Sequence, residues 1–162
     1  MSFSEKEYRT KLAVLGMGNE LLKDEGIGVH IIRCLENVPD LGPVRLVDGG
    51  TSPDAIDLIQ DVERLIIVDA AYGGGEPGTV YRLSPKEVQA QKPSSVHDLT
   101  IVNMLWTMNF LGCVPEVTIL GIEPKEIDWG LELSPELAKR LPQILQLVTE
   151  EIRQNLESDM SQ

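Results

Sequence analysis

The chain has 162 residues, 42% hydrophobic and 25% charged, which is the make-up of one globular domain with its own core. That balance excludes disordered, collagenous and low-complexity chains. Fourteen lysines and arginines stand against 26 aspartates and glutamates, a net charge of −12, so nucleic acid and anionic membrane surfaces are not expected partners.

Short apolar runs alternate with longer amphipathic ones along the chain. The polar first ten residues lack the apolar stretch of a secretory signal and read, like residues 157–162, as a frayed end. Residues 11–16 (KLAVLG) read as a buried first strand, broken by Gly18 and Asn19. Asp24 is the predicted N-cap of a helix to about Asn37, with Ile27, Ile31, Ile32 and Leu35 at helical spacing. Residues 44–48 form a second strand closed by Gly49 and Gly50, and Ser52-Pro53 opens a short helix, serine capping and proline in the first turn. Residues 65–70 (LIIVDA) are apolar enough for a strand buried on both faces.

After the turn signals of residues 73–78, residues 79–83 alternate like an antiparallel edge strand. Ser84-Pro85 starts a short helix, residues 91–95 a loop and His97 a helix to Leu111. The apolar stretch 101–114 is too short to span a bilayer and carries Asn103 and Asn109, so it reads as a buried helix with Trp106 and Met108 in the core. Residues 116–122 are the fifth strand, residues 123–133 a loop, and Ser134-Pro135 caps a last amphipathic helix to about Asn155. The sum is one α/β domain, its core over about residues 11–155, with helices around a mostly parallel sheet.

In such sheets ligands bind beyond the carboxyl ends of the strands, where the strand order reverses. Gly16-Met17-Gly18 follows the first strand, Asp48-Gly49-Gly50-Thr51 ends the second and Asp69-Ala70 the third. The third glycine of a GxGxxG fingerprint is replaced by Leu21, and Asp24 and Glu25 would repel phosphate, so the glycines are read as turn residues and no organic cofactor is expected. No GxSxG elbow or P-loop occurs. Cys34 and Cys113 form no CxxC pair and read as packing residues, reduced as in the cytoplasm.

Two histidines, His30 and His97, are too few for a resident zinc centre built on imidazoles. His30 lies about 140° round a helix from Glu25 and shares no face with it. What remains is Glu25, Asp69 and His97, a mixed set able to hold nickel or zinc and to share the ion with another molecule. Each also has a plainer reading: Glu25 as first-turn charge, Asp69 as a loop cap, His97 as a helix-start residue. Asp48 is expected first of all to accept from the amides of Gly50 and Thr51. Trp129 in its loop is either a partner contact or a lid.

The strings GMGNELLKDEGIGVH (16–30), VDGGT (47–51), LIIVDA (65–70), EPGTV (76–80), SSVHDL (94–99), GIEP (121–124) and GLELSP (130–135) together resemble the hydrogenase maturation protease family, in family order over residues 11–152. The resemblance implies a three-layer α/β/α sandwich with a five-stranded sheet. It implies an endopeptidase that removes the C-terminal extension of a nickel-loaded [NiFe]-hydrogenase large-subunit precursor in the cytoplasm. The family's metal-contacting positions fall on Glu25, Asp69 and His97, nickel being supplied by the substrate, and catalytic roles fall on Asp69 and Asp48. The alternatives are a non-enzymatic nickel-binding accessory protein, a nucleotide or flavin module, and a peptidase with resident zinc.

Overall fold

The computed structural model describes the backbone of residues 10–90, 96–113 and 115–160, and the side chains of these apart from residues 90, 96–100, 159 and 160. Strand alternation builds two cores. In β1 (Thr10–Met17), Leu12 and Val14 enter one buried cluster and Ala13 and Leu15 the other. β3 (Val62–Ala70) does the same, with Ile66 and Val68 on one side and Leu65 and Ile67 on the other. β2 (Arg45–Gly50) and β5 (Glu116–Ile122) complete the parallel strands, and β4 (Val80–Leu83) runs antiparallel along β5 at the edge. The order is β2-β1-β3-β5-β4.

Helices cover both faces. α1 (Ile27–Leu35) and α4 (Pro135–Met160) bury Ile27, Ile31, Ile32, Leu137, Ile144, Val148 and Ile152 on the first cluster. A 3-10 helix (Pro53–Leu58) and α3 (Val96–Phe110) place Ala55, Ile101, Met104, Leu105 and Met108 on the second, beside the short α2 (Pro85–Ala90). The expected three-layer α/β/α sandwich with a five-stranded, mostly parallel sheet is what the chain forms. Among the described residues no helix is long and apolar enough to cross a membrane.

Several local expectations hold. β5 has the expected bounds, β4 is the antiparallel edge, and the Ser52 side chain accepts from the Asp54 amide at 3.2 Å to cap its helix. Others need correction. Thr10 is not frayed: it starts β1, and its hydroxyl accepts from Arg45. Residues 157–160 continue α4. Met108 is core, but Trp106 is 66% exposed and Phe110 89% exposed. α3 is an outer-layer helix, and its apolar residues go all the way round while only one face meets the sheet. The expected loop at 91–95 lies outside the described residues.

β1 and β3 are neighbours, yet α1 returns the chain to β2 on one side while β3 continues to the other. The strand order therefore reverses between β1 and β3, and the crevice at their carboxyl ends is where a doubly wound sheet binds ligands.

Candidate active site

Glycines here serve backbone packing. A Cβ on Gly16 would lie 2.3 Å from the Gly28 carbonyl oxygen, and one on Gly28 would lie 2.3 Å from both the Met17 and Val68 carbonyl oxygens. α1 thus rests directly on β1 and β3, a contact no side chain allows. Gly18 has a φ of +133°, and a Cβ there would lie 2.0 Å from the Glu25 carbonyl oxygen, so the turn closes only on glycine. This tight fold-back carries Glu25 to the crevice. Gly28→Ala is expected to cost about 1–3 kcal/mol or more, since backbone rather than a pliable side chain must move. Urea unfolding checks this, and an unchanged midpoint would contradict the packing role.

Asp24 is not the N-cap of α1. It lies inside a 3-10 turn (Lys23–Gly26), and the N-cap of α1 is Gly26, which offers no side-chain cap. Its carboxylate is fully buried and reaches across to the segment after β5. Oδ2 accepts from the amides of Lys125 at 2.9 Å and Glu126 at 2.8 Å and from the Ser134 hydroxyl at 2.7 Å, while Oδ1 accepts from the Ser134 amide at 2.7 Å. Donors from a distant loop satisfy the buried charge better than its own helix could. Main-chain bonds close the same seam: the Lys23 amide donates to the Gly130 carbonyl at 2.9 Å and the Gly130 amide to Leu21 at 2.9 Å. Lys23 Nζ pairs with Glu126 at 2.6 Å. The turn that carries Glu25 is thereby clamped to residues 125–134.

Asp69, at the end of β3, is 3% exposed and accepts from the Ala70 amide at 2.8 Å. Glu25, across the crevice at the end of the β1 turn, is partly buried. Glu123, missed from the sequence, is a third buried carboxylate at this rim. It accepts from the Gly73 amide at 2.6 Å and from the Tyr81 hydroxyl at 3.2 Å, and that hydroxyl accepts from Gly75 at 2.9 Å. Glu123 so pins the loop after Asp69. Tyr72, in that loop, is exposed, and its hydroxyl is pushed above the usual tyrosine range by burial and then by the charges of Glu25, Glu123 and Asp24. The only signal for Glu123 in the sequence is an acid directly after an apolar strand.

β2 continues through Gly49 and Gly50, so Asp48 lies two residues before its end, on the far side of β1 and beside Gly16 in register. It is exposed, and Oδ1 accepts from the Gly50 amide at 3.1 Å, so one of the two expected turn bonds forms. His97 is the second residue of α3. The His97 side chain lies outside the described residues. Among the described residues no group of three metal-ligating side chains is assembled; Glu25 lies in the turn after β1, and Asp69 lies at the end of β3.

His30 points elsewhere, toward the backbone of Leu131 and the Glu20–Arg33 pair, with a buried Nε2 that has no hydrogen-bond partner among the described residues. Burial, then Arg33, lowers its pKa from the ordinary 6.5. The neutral ring is the form the fold favours. This part of the stability is complete above pH 6.5 and falls away as pH drops toward the lowered folded value. His30→Gln is expected to flatten the acid-side dependence of the melting temperature between pH 7 and 5, and an unaltered slope would exclude His30 as its source. Cys34 and Cys113 are free and partly buried, and burial raises the Cys34 thiol, which makes it a poor nucleophile.

The family model for hydrogenase maturation protease (HycI) matches residues 29–151. The hydrogenase 2 maturation protease of Escherichia coli K12 is 32% identical over 155 residues, spanning 90% of this chain and 92% of that one. The hydrogenase expression/formation protein HupD of Rhodobacter capsulatus is 32% identical over 153 residues, spanning 88% and 71%. The solved structure of the hydrogenase maturating endopeptidase HybD from E. coli superimposes with a TM-score of 0.77 at 30% identity, over 89% of this chain and 93% of that one.

Proposed function

This chain belongs to the hydrogenase maturation protease family and is an endopeptidase, and we propose that it cuts the C-terminal extension from a [NiFe]-hydrogenase large-subunit precursor that already holds nickel. In this reading Glu25, Asp69 and His97 ligate the substrate's nickel, and that contact both verifies metal insertion and sets the scissile bond in place. The arrangement that supports it is Glu25 on the turn after β1 and the buried Asp69 at the end of β3, at the carboxyl ends of the two strands between which the order reverses. A buried carboxylate at the edge where the strand order reverses suits a ligand site. Free thiols at Cys34 and Cys113 suit a reducing cytoplasm.

Two oxygen-rich ligands and one imidazole match a borderline divalent ion, and the ligand positions they leave open would be filled by the substrate. Held by Glu25, Asp69 and His97, such an ion would supply Lewis acidity toward the scissile carbonyl or a water, and a carboxylate of this chain would take the water's proton. Asp48, exposed and held through one oxygen by the Gly50 amide, is the base in this scheme. Asp48→Asn is expected to lower kcat about 100-fold or more with little change in KM, as loss of a general base does. An unchanged kcat would leave the proton to another group.

Co-expression of the large subunit with and without this protein tests the activity, with intact mass as the readout. The expected result is loss of the mass of the tail only when the protein is present. Nickel gained by the precursor without a mass change would instead support an accessory protein that delivers the metal.

A further inference from the structure

The clamp between the Glu25 turn and residues 125–134 leaves large apolar side chains outside. Leu21 is 50% exposed, Trp129 77% and Leu131 64%. They lie together, because the Gly130 amide between Trp129 and Leu131 donates to the Leu21 carbonyl at 2.9 Å and Gly130 forms a parallel bridge with Leu22. The seam that exposes them is tightly held: Asp24 binds three amides and a hydroxyl beneath it, and Lys23 sits across Gly130. A rigid, apolar and exposed surface of this kind is unusual unless something covers it. Acids alternate with the apolar residues in Asp128-Trp129-Gly130-Leu131-Glu132. Glu20 and Glu126 are answered by Arg33 and Lys23, whereas no basic side chain forms a salt bridge with Asp128 or Glu132 among the described residues.

We propose that Leu21, Trp129 and Leu131, flanked by Asp128 and Glu132, are the surface on which the precursor large subunit docks, through an apolar segment bordered by lysine or arginine. The inference rests on the endopeptidase reading above, in which the precursor's metal is held at Glu25, two residues beyond the Lys23 amide that bonds Gly130. A chain anchored there by its metal passes over this patch, and Asp128 and Glu132, of which only Asp128 feels the nearby charge of Lys23, select a basic border. The large aromatic supplies the anchor expected at the centre of such a contact. Trp129 is therefore a partner contact and not a lid.

The test is calorimetric titration of the purified nickel-loaded precursor into this protein, with tail removal followed by intact mass in the same samples. Trp129→Ser/Leu131→Ser is expected to weaken binding at least tenfold and to raise KM equally, while kcat at saturating precursor is kept. Asp128→Lys/Glu132→Lys is expected to weaken binding and to reverse its dependence on ionic strength. Trp106→Ser/Phe110→Ser, on the outward face of α3, is the control and leaves both unchanged. Melting temperatures within a few degrees of the parent exclude misfolding, which exposed positions make straightforward. Affinity for the precursor unchanged in the Trp129/Leu131 variant overturns the docking surface and leaves the endopeptidase reading standing. Binding without any cleavage by the parent overturns the endopeptidase reading and leaves the surface standing. Concentration-dependent dimers of the parent that dissociate in the variant overturn it in favour of a second copy of this chain as occupant.

Discussion

Asn in place of Asp69 is expected to end processing of the nickel-loaded precursor while the protein stays folded. Asn keeps an oxygen for the Ala70 amide, which now donates to Asp69 at 2.8 Å, so the strand end retains its bond. The melting temperature of the variant, compared with the parent, checks that the fold is kept. In the proposed scheme, however, the ion loses an anionic ligand. Groups that only orient a metal ligand are worth about 10–100-fold in affinity or activity, so a ligand itself should cost at least about 100-fold in kcat/KM. His97→Ala should match it, since in this scheme both hold the same ion. A folded Asp69→Asn enzyme that processes precursor at the parent rate would remove Asp69 from the site.

The second large effect belongs to Asp24. Its carboxylate accepts from three amides and one hydroxyl, all at 2.7–2.9 Å. Asp24→Ala leaves those donors buried without an acceptor, at a cost of about 3–5 kcal/mol, a large share of the roughly 5–15 kcal/mol that holds a domain together. Asp24→Asn should fare little better. With donors at both oxygens, either orientation of the amide turns its NH2 toward an N–H, and only an acceptor-only group fits. Hydrogen exchange should locate the damage. The amides of Lys125, Glu126 and Ser134 should exchange faster, whereas those in the middle of β1 and β3 are affected only through global unfolding. Protection of those three amides unchanged in Asp24→Ala would refute the clamp. Because the same turn carries Glu25, KM for precursor should rise in any folded fraction.

These two residues show what a sequence can and cannot disclose. The burial of Asp69 at a strand end is legible because an acid that ends an apolar strand breaks the local pattern. β1 and the 65–70 part of β3 are legible because, buried on both faces, they read as apolar runs, and β5 falls on the expected residues. Asp24 was misread because its partners lie 101 to 110 residues away, and a local rule offers the nearer role of N-cap. Glu123 was missed since its work is to hold the amide of Gly73 and the hydroxyl of Tyr81 from other elements. Trp106 was placed in the core because α3 is apolar on every side, and periodicity then carries no sign of which face has a neighbour. The glycines of the β1 turn were read as turn formers, which Gly18 is; that Gly16 and Gly28 also seat a helix on two strands depends on packing that spacing alone does not reveal.

The central claim is that this enzyme reads the metal its substrate carries. It is tested most directly by presenting the purified protein, stripped of loosely bound metal, with the same large-subunit precursor in nickel-loaded and nickel-free form and following tail removal by intact mass. The nickel-loaded precursor should lose its extension and the nickel-free precursor should remain whole. Equal cleavage of both would contradict the claim, leaving Glu25, Asp69 and His97 without the role assigned to them.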